Sequence, residues 1–396
     1  MRESVPLKPP ALSVVGRRVI VKAFFRWSEK AGSTDRSKAA ATLAKAYLQS
    51  SLPQDRQDSA YDAMTYLLDD PSPKVRLSLA GSLAYSEDAP RHIIFSLAQD
   101  QPEIACLVII NSPVLRDTDL VDLIGNGTPI TRAMIAARPF LETGACAALA
   151  EIGEILEISV LLENRSAYIT PFTLRRIADR HAQDAEIRDL LLQRDDLPAD
   201  VRYAIVGHVG AALAASNLVC YAMTPHRARD IIRDASETAT VLIAGDVTSE
   251  AMPVLVEHLR VGGDLTPAFL MNTLCSGKLD FFAQAISNLS GLGEQQVRSI
   301  LATGRHHALK ALFQSTGLFG AVLDIFMEAT QLWRNASDGP YANPVAELSS
   351  GLLAKFAHID GDATMRELLH MVEKLQITQQ RQRARSLAND LVAEAA

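Results

Sequence analysis

The segment Leu67-Leu68-Asp69-Asp70-Pro71-Ser72-Pro73-Lys74-Val75-Arg76-Leu77-Ser78-Leu79-Ala80 limits the fold more than any other, because degenerate copies of it recur before about residue 200. Val75, Ile104, Ile130, Leu156 and Ile187 occupy similar places in these copies. Their separations of roughly 26 to 31 residues suit a helix pair that buries one face only by stacking on the next pair. Such stacking presents an extended surface without specifying what the surface holds.

The copies share their punctuation. Pro71, Pro73, Pro102 and Pro129 stand ahead of apolar runs, with Asp70, Ser72, Asp100 and Thr128 as candidate N-caps. Proline suits a first helical turn because the N–H it lacks would have no intrahelical partner there. Asn111-Ser112-Pro113, Ala137-Arg138-Pro139 and Glu163-Asn164-Arg165 read as exits. Val75, Leu79 and Leu83 share one side at helical spacing, as do Ile104, Val108 and Ile109. A second set alternates with them: Ile93 with Leu97, Leu120 with Leu123, Cys146 with Leu149, and Leu174 with Ile177. No comparable stretch alternates with a period of two, so no sheet is read.

The expectation is an all-α chain built as a HEAT-like α-solenoid of antiparallel helix pairs. Basic amphipathic and capping helices fill 1–67, the repeats 68–216, a helical module 217–335 and C-terminal helices 336–396. After about residue 217 the proline-anchored rhythm stops. Thr224-Pro225 and Thr266-Pro267 then start helices, Asn335 to Pro344 reads as the main later loop, and Lys374, Arg381, Arg383 and Arg385 mark a solvated or oligomerising face of the last helix.

Charge is unevenly spread along the 396 residues, whose formal net charge is -7. Residues 1–50 hold ten Lys/Arg against three Asp/Glu, leaving 29 against 43 in the remainder. The bulk acidity argues against a nucleic-acid binder. Arg18, Lys22, Arg26 and Lys30 recur every four residues, while Ile20, Ala23, Phe24 and Trp27 share another face. This is a basic amphipathic helix and the chain's candidate interaction element. It reads first as a cap over the repeats, then as a docking site for an acidic partner, and last as a peripheral contact with an anionic membrane.

From Tyr203 to Met223 the sequence carries no Asp, Glu, Lys or Arg. Gly207, His208, Gly210, Ser216 and Asn217 interrupt this run and much of the rest is alanine, so a buried helix is expected in place of a membrane span, with a homodimer contact as a second use. The N-terminal prolines Pro6, Pro9 and Pro10 do not suit a secretory leader. Cys106, Cys146, Cys220 and Cys275 lack metal-site spacing and read as buried thiols, which fits a cytoplasmic location.

The Asp-Asp-Pro-Ser-Pro-Lys-Val-Arg repeat, the Asn111-Ser112-Pro113-Val114-Leu115 turn, the Phe24-Phe25-Arg26-Trp27 start and the Leu265-Thr266-Pro267 to Leu279 segment resemble one bacterial family. It comprises HEAT-like helical-repeat proteins whose defining domain is catalogued as uncharacterised, with repeats similar to the leucine-rich-repeat variant. The resemblance spans roughly residues 20 to 370 and implies a cytosolic helical protein with no transferable catalytic residues.

Chemistry is sparse. Phosphate-binding glycine loops, the zinc-protease helix and the nucleophile elbow are all missing from the sequence. Adjacent His306 and His307 would point about 100° apart on a helix and so suit a surface pair better than a metal site. Glu151, Glu154 and Glu157 at three-residue spacing read as a solvated helix side. No catalytic, cofactor-binding or metal-ligating set is therefore assigned. The expected function is a non-enzymatic scaffold or adaptor that binds a protein partner. A nucleic-acid binder of the helical-repeat DNA-glycosylase type and a peripheral membrane factor are the alternatives.

Overall fold

The computed structural model describes residues 21–49, 53–337, 344–356 and 363–395. Among these residues every regular element is a helix and no strand occurs. The chain divides into two compact units, Met1–Asp196 and Leu197–Ala396.

The first unit holds α1 (21–28), α2 (Ser33–Leu48), α3 (Gln54–Leu67), α4 (Pro73–Leu83), α5 (Arg91–Ala98), α6 (Pro102–Asn111), α7 (Asp117–Asn126), α8 (Pro129–Ala136), α9 (Thr143–Ile152), α10 (Ile155–Glu163), α11 (Pro171–His181) and α12 (Ala185–Leu192). Packing is mainly next-but-one: α2, α4, α6, α8, α10 and α12 form one row, and α7, α9 and α11 form another. The helix starts follow from local chemistry. Proline opens α4, α6, α8 and α11, and the side chains of Thr128, Thr170 and Asp184 accept N–H bonds from the first turns of α8, α11 and α12.

In α4, α6, α10 and α12 the third residue points into the core. Val75, Ile104 and Ile187 hold that place and are fully buried. Ile130 and Leu156 do not: each is the second residue of its helix, one step of about 100° away, and they are 54% and 64% exposed. The sequence register is thus off by one in α8 and α10. Glu157 takes the buried third place of α10.

Polar staples tie successive pairs. Arg36 grips Asp70 with Nε and Nη2 at 2.6 and 2.9 Å, and Arg76 grips Asp100 at 2.6 and 3.0 Å. Both arginines are the fourth residue of their helices, and each also donates back to a carbonyl of the preceding turn, Ala31 or Asp70. Arg132 and Arg188, fourth in α8 and α12, make the same backward bond to Ile124 and Ala182. The exits are stapled as well: Arg138 donates to the carbonyls of Ile109 and Ser112, Asn164 to those of Ala136 and Arg138, and Arg194 to that of Leu162.

The second unit holds α13 (Ala199–Ala215), α14 (Asn217–Ala222), α15 (Pro225–Asp246), α16 (Met252–Gly262), α17 (Pro267–Cys275), α18 (Leu279–Ser290), α19 (Glu294–Thr303), α20 (His306–Ser315), α21 (Gly320–Ser337), α22 (Pro344–Phe356) and α23 (Ala363–Ala395). Thr224 and Thr266 cap α15 and α17. Of the expected loop from Asn335 to Pro344, residues 335–337 end α21, Pro344 opens α22, and the rest lies outside the described residues. An aromatic core joins α17, α18, α20 and α21: Phe269 meets Phe281 edge-on at 6.0 Å, and Phe282 stacks on Phe326 at 6.2 Å.

The uncharged run 203–223 is not the buried helix its composition suggests. α13 packs on α15 along one side, where Val201, Ile205 and Gly210 are buried, and much of its other side is open. Leu218 and Tyr221 are 75% and 93% exposed, and Cys220 is an exposed thiol. Burial needs a partner on each face: α15 and, beside Tyr203, α16 cover part of α13, while Val209 and Leu213 stay exposed. Among the described residues no helix is long and apolar enough to cross a membrane.

Candidate functional site

The basic first helix sorts its residues by face. Val21 and Phe24 border a crevice with Leu43, Ala60 and Ala63, and the ring of Phe25 lies 4.2 Å from that of Tyr66. Phe25 packs half-buried against Tyr66, whereas Ala23, expected on the apolar face, is exposed. Lys22, Arg26 and Trp27 point outward. The helix ends at Ser28, whose hydroxyl donates to the Phe25 carbonyl at 2.8 Å, so Lys30 lies exposed in the following turn. Arg18 lies outside the described residues.

The remaining sequence candidates do not converge. His306 and His307 open α20, both exposed, with their rings nearly perpendicular. The three glutamates do not share a helix, because Gly153 ends α9 and Glu154 precedes α10. Glu151 pairs with Arg176 at 2.8 Å, and Glu157 is buried with its Oε1 unpartnered among the described residues. No group of His, Cys, Asp or Glu among those residues is arranged to hold a metal ion. Burial pushes the thiols of Cys146 and Cys275 up to about 12, which suits inert core cysteines and not nucleophiles.

An arrangement that sequence reasoning missed is a set of exposed aromatics on adjoining loops. Phe140, between α8 and α9, is 69% exposed and sits at φ 53°, the left-handed region that a bulky residue rarely adopts. Its N–H donates to Ser166 Oγ at 3.1 Å, and the Tyr168 N–H donates to the Leu141 carbonyl at 2.9 Å. These bonds hold the α8–α9 and α10–α11 loops together. Tyr168 and Phe172, on the second loop and the start of α11, are 60% and 70% exposed. Below Phe140 lies a cleft of about 320 Å³ that Pro113, Asp117, Arg138 and Glu142 help to line. The available signal was the Pro139-Phe140 pair at an exit, where an apolar ring has no helix face to join.

A second cavity, of about 400 Å³, opens in the C-terminal unit beside Phe282, Trp333 and Arg334. Residues 104–366, which include both this cavity and the aromatic loops, match a family described as an uncharacterised protein conserved in bacteria. The chain belongs to this family, DUF2336. The DUF2336 match starts within α6, so the Asp69–Arg76 segment and the basic first helix lie outside it. No curated protein and no solved structure gives a match.

Proposed function

We propose that this DUF2336 chain is a non-enzymatic scaffold: a HEAT-like solenoid of helix pairs that holds a protein partner on its loop edge in the bacterial cytosol. The observation that carries the reading is the exposed trio of Phe140 and Tyr168, on loops fixed to one another by the Phe140 N–H to Ser166 Oγ and Tyr168 N–H to Leu141 carbonyl bonds, and Phe172 at the start of α11. Aromatics supply large contact area at low entropic cost and are enriched where proteins anchor partners. Holding Phe140 at positive φ costs on the order of 1–2 kcal/mol, and a cost of this kind is found where a side chain must be displayed. Next-but-one packing and the repeated staples support the solenoid, and the unpaired core thiols suit a reducing compartment.

The test is affinity capture from lysate of the source bacterium with the full chain and with a Phe140→Ala, Tyr168→Ala, Phe172→Ala variant of unchanged circular dichroism. A partner retained by the first and lost by the second is expected. Capture of no specific protein, or equal capture by both, overturns the reading. The outward Lys22, Arg26, Lys30 and Trp27 support a second docking element for an acidic surface, protein or lipid, and charge-reversal at the three cations should abolish vesicle or partner binding that depends on it.

A further inference from the structure

The cavity in the C-terminal unit has an apolar body and, among the described residues, one cation without a carboxylate partner. Leu274, Leu279, Phe282, Leu301 and Trp333 form most of its wall, and Arg298 and Arg334 stand at its edge. The two arginines differ in how their charge is met. Arg298 is neutralised by Asp280 at 2.5 Å and Glu294 at 2.8 Å, both solvent-exposed. Arg334 donates Nε to the Leu301 carbonyl at 2.7 Å, Nη1 to that of Gly304 at 3.0 Å and Nη2 to that of Ile300 at 2.7 Å. These carbonyls end α19, so its dipole offsets part of the charge, and no carboxylate among the described residues pairs with the guanidinium. Each terminal nitrogen of an arginine carries a second N–H, so the fork retains donors for an incoming anion.

The wall is built in advance. Trp333 Nε1 donates to the Leu274 carbonyl at 2.9 Å, which locks the indole, and Thr330 Oγ1 is held by the Phe326 carbonyl at 2.9 Å. An apolar cavity with one oriented cation that has no carboxylate partner among the described residues selects a ligand with an apolar body and a single negative head. At about 30 Å³ per water-sized group, the volume suits roughly a dozen non-hydrogen atoms. We infer that this cavity binds a medium-chain monocarboxylate, with its carboxylate on Arg334 and its hydrocarbon against Phe282 and Trp333.

Trp333 is the reporter. Trp27 is the other tryptophan of the sequence, so a Trp27→Phe full chain gives a signal from the cavity alone. Titration with decanoate below its micelle-forming concentration should change Trp333 fluorescence saturably. Decanol, equally apolar but uncharged, should bind about tenfold or more weakly, as should decanoate to an Arg334→Met variant, since one charge-assisted contact is worth about 1.5–3 kcal/mol. Because Arg334 also caps α19, Ala302→Phe is the independent check. Ala302 is exposed at the edge of the cavity, so the larger ring should fill the space and abolish the signal while the fold holds. Absence of a saturable change, equal affinity for decanol, or decanoate binding that survives Ala302→Phe overturns the inference.

Discussion

The two units bury their apolar residues in different ways. In Met1–Asp196 the buried apolar side chains are aliphatic, with Met64, Leu79, Ile93 and Ile104 among the largest, and arginine, asparagine and aspartate tie several helices to the next but one. In Leu197–Ala396 one apolar cluster gathers Phe269, Phe281, Phe282, Phe313 and Phe326. A layer of two short helices encloses too little volume for a thick core, so polar staples between layers carry part of the cohesion. A cluster of rings can concentrate it.

That contrast can be broken by substitution. The largest effect is expected from Phe326→Ala, which opens a cavity among Phe282 and Phe313 and should cost about 3–5 kcal/mol in urea unfolding. A loss near 1 kcal/mol would mean the rings are not the anchor of that unit. Next comes Asp70→Ala, which removes the Arg36 clamp and the bond from the Ser72 N–H together, at about 2 kcal/mol.

Asp70 also gives the clamp a pH signature. Burial alone would raise its carboxyl, but the Arg36 guanidinium and the Ser72 N–H outweigh burial and hold it below the ordinary carboxylate range, and Asp119 behaves likewise beside Arg91. A lowered native value stabilises the fold above the unfolded pKa of about 4, and that contribution is lost as pH falls through the native value. Asp70→Asn should flatten part of this acid loss in pH-dependent melting, and an unchanged slope would remove Asp70 from the account.

Smaller effects sharpen the comparison. Glu157 occupies the place that Val75, Ile104 and Ile187 hold in other row helices, with one carboxylate oxygen unpartnered among the described residues. Glu157→Ile should raise stability by about 1–2 kcal/mol, and a destabilised variant would mean that the carboxylate serves the layer. Thr170→Ala and Thr266→Ala remove equivalent caps in the two units, so each should cost about 1 kcal/mol. Unequal losses would show that capping depends on the surrounding core.

Much of the helical plan was legible. The Thr-Pro starts at Thr128, Thr224 and Thr266 and the exits at Ser112, Ala137 and Asn164 are local chemistry, fixed by what a chain end of a helix must bond. Sidedness was less so. Ile130 and Leu156 keep the apolar spacing yet face solvent, and the 203–223 run is apolar yet half uncovered, because period and composition do not report which face has a neighbour. The staples were hidden for the same reason: Arg36 and Asp70 are 34 positions apart, and only the fold brings them together. The Arg334 cavity uses residues from α17, α18, α19 and α21, a convergence with no sequence spacing of its own.

Phe140 holds a position that glycine would occupy more comfortably. Phe140→Gly should therefore melt higher, by about 0.5–1 kcal/mol once glycine's extra unfolded freedom is subtracted, and under the proposed scaffold role it should capture less partner. If the proposed display role holds, a screen that ranks variants of this chain by thermal tolerance would favour the ones that have lost it, and durability would be a misleading guide to fitness at this loop.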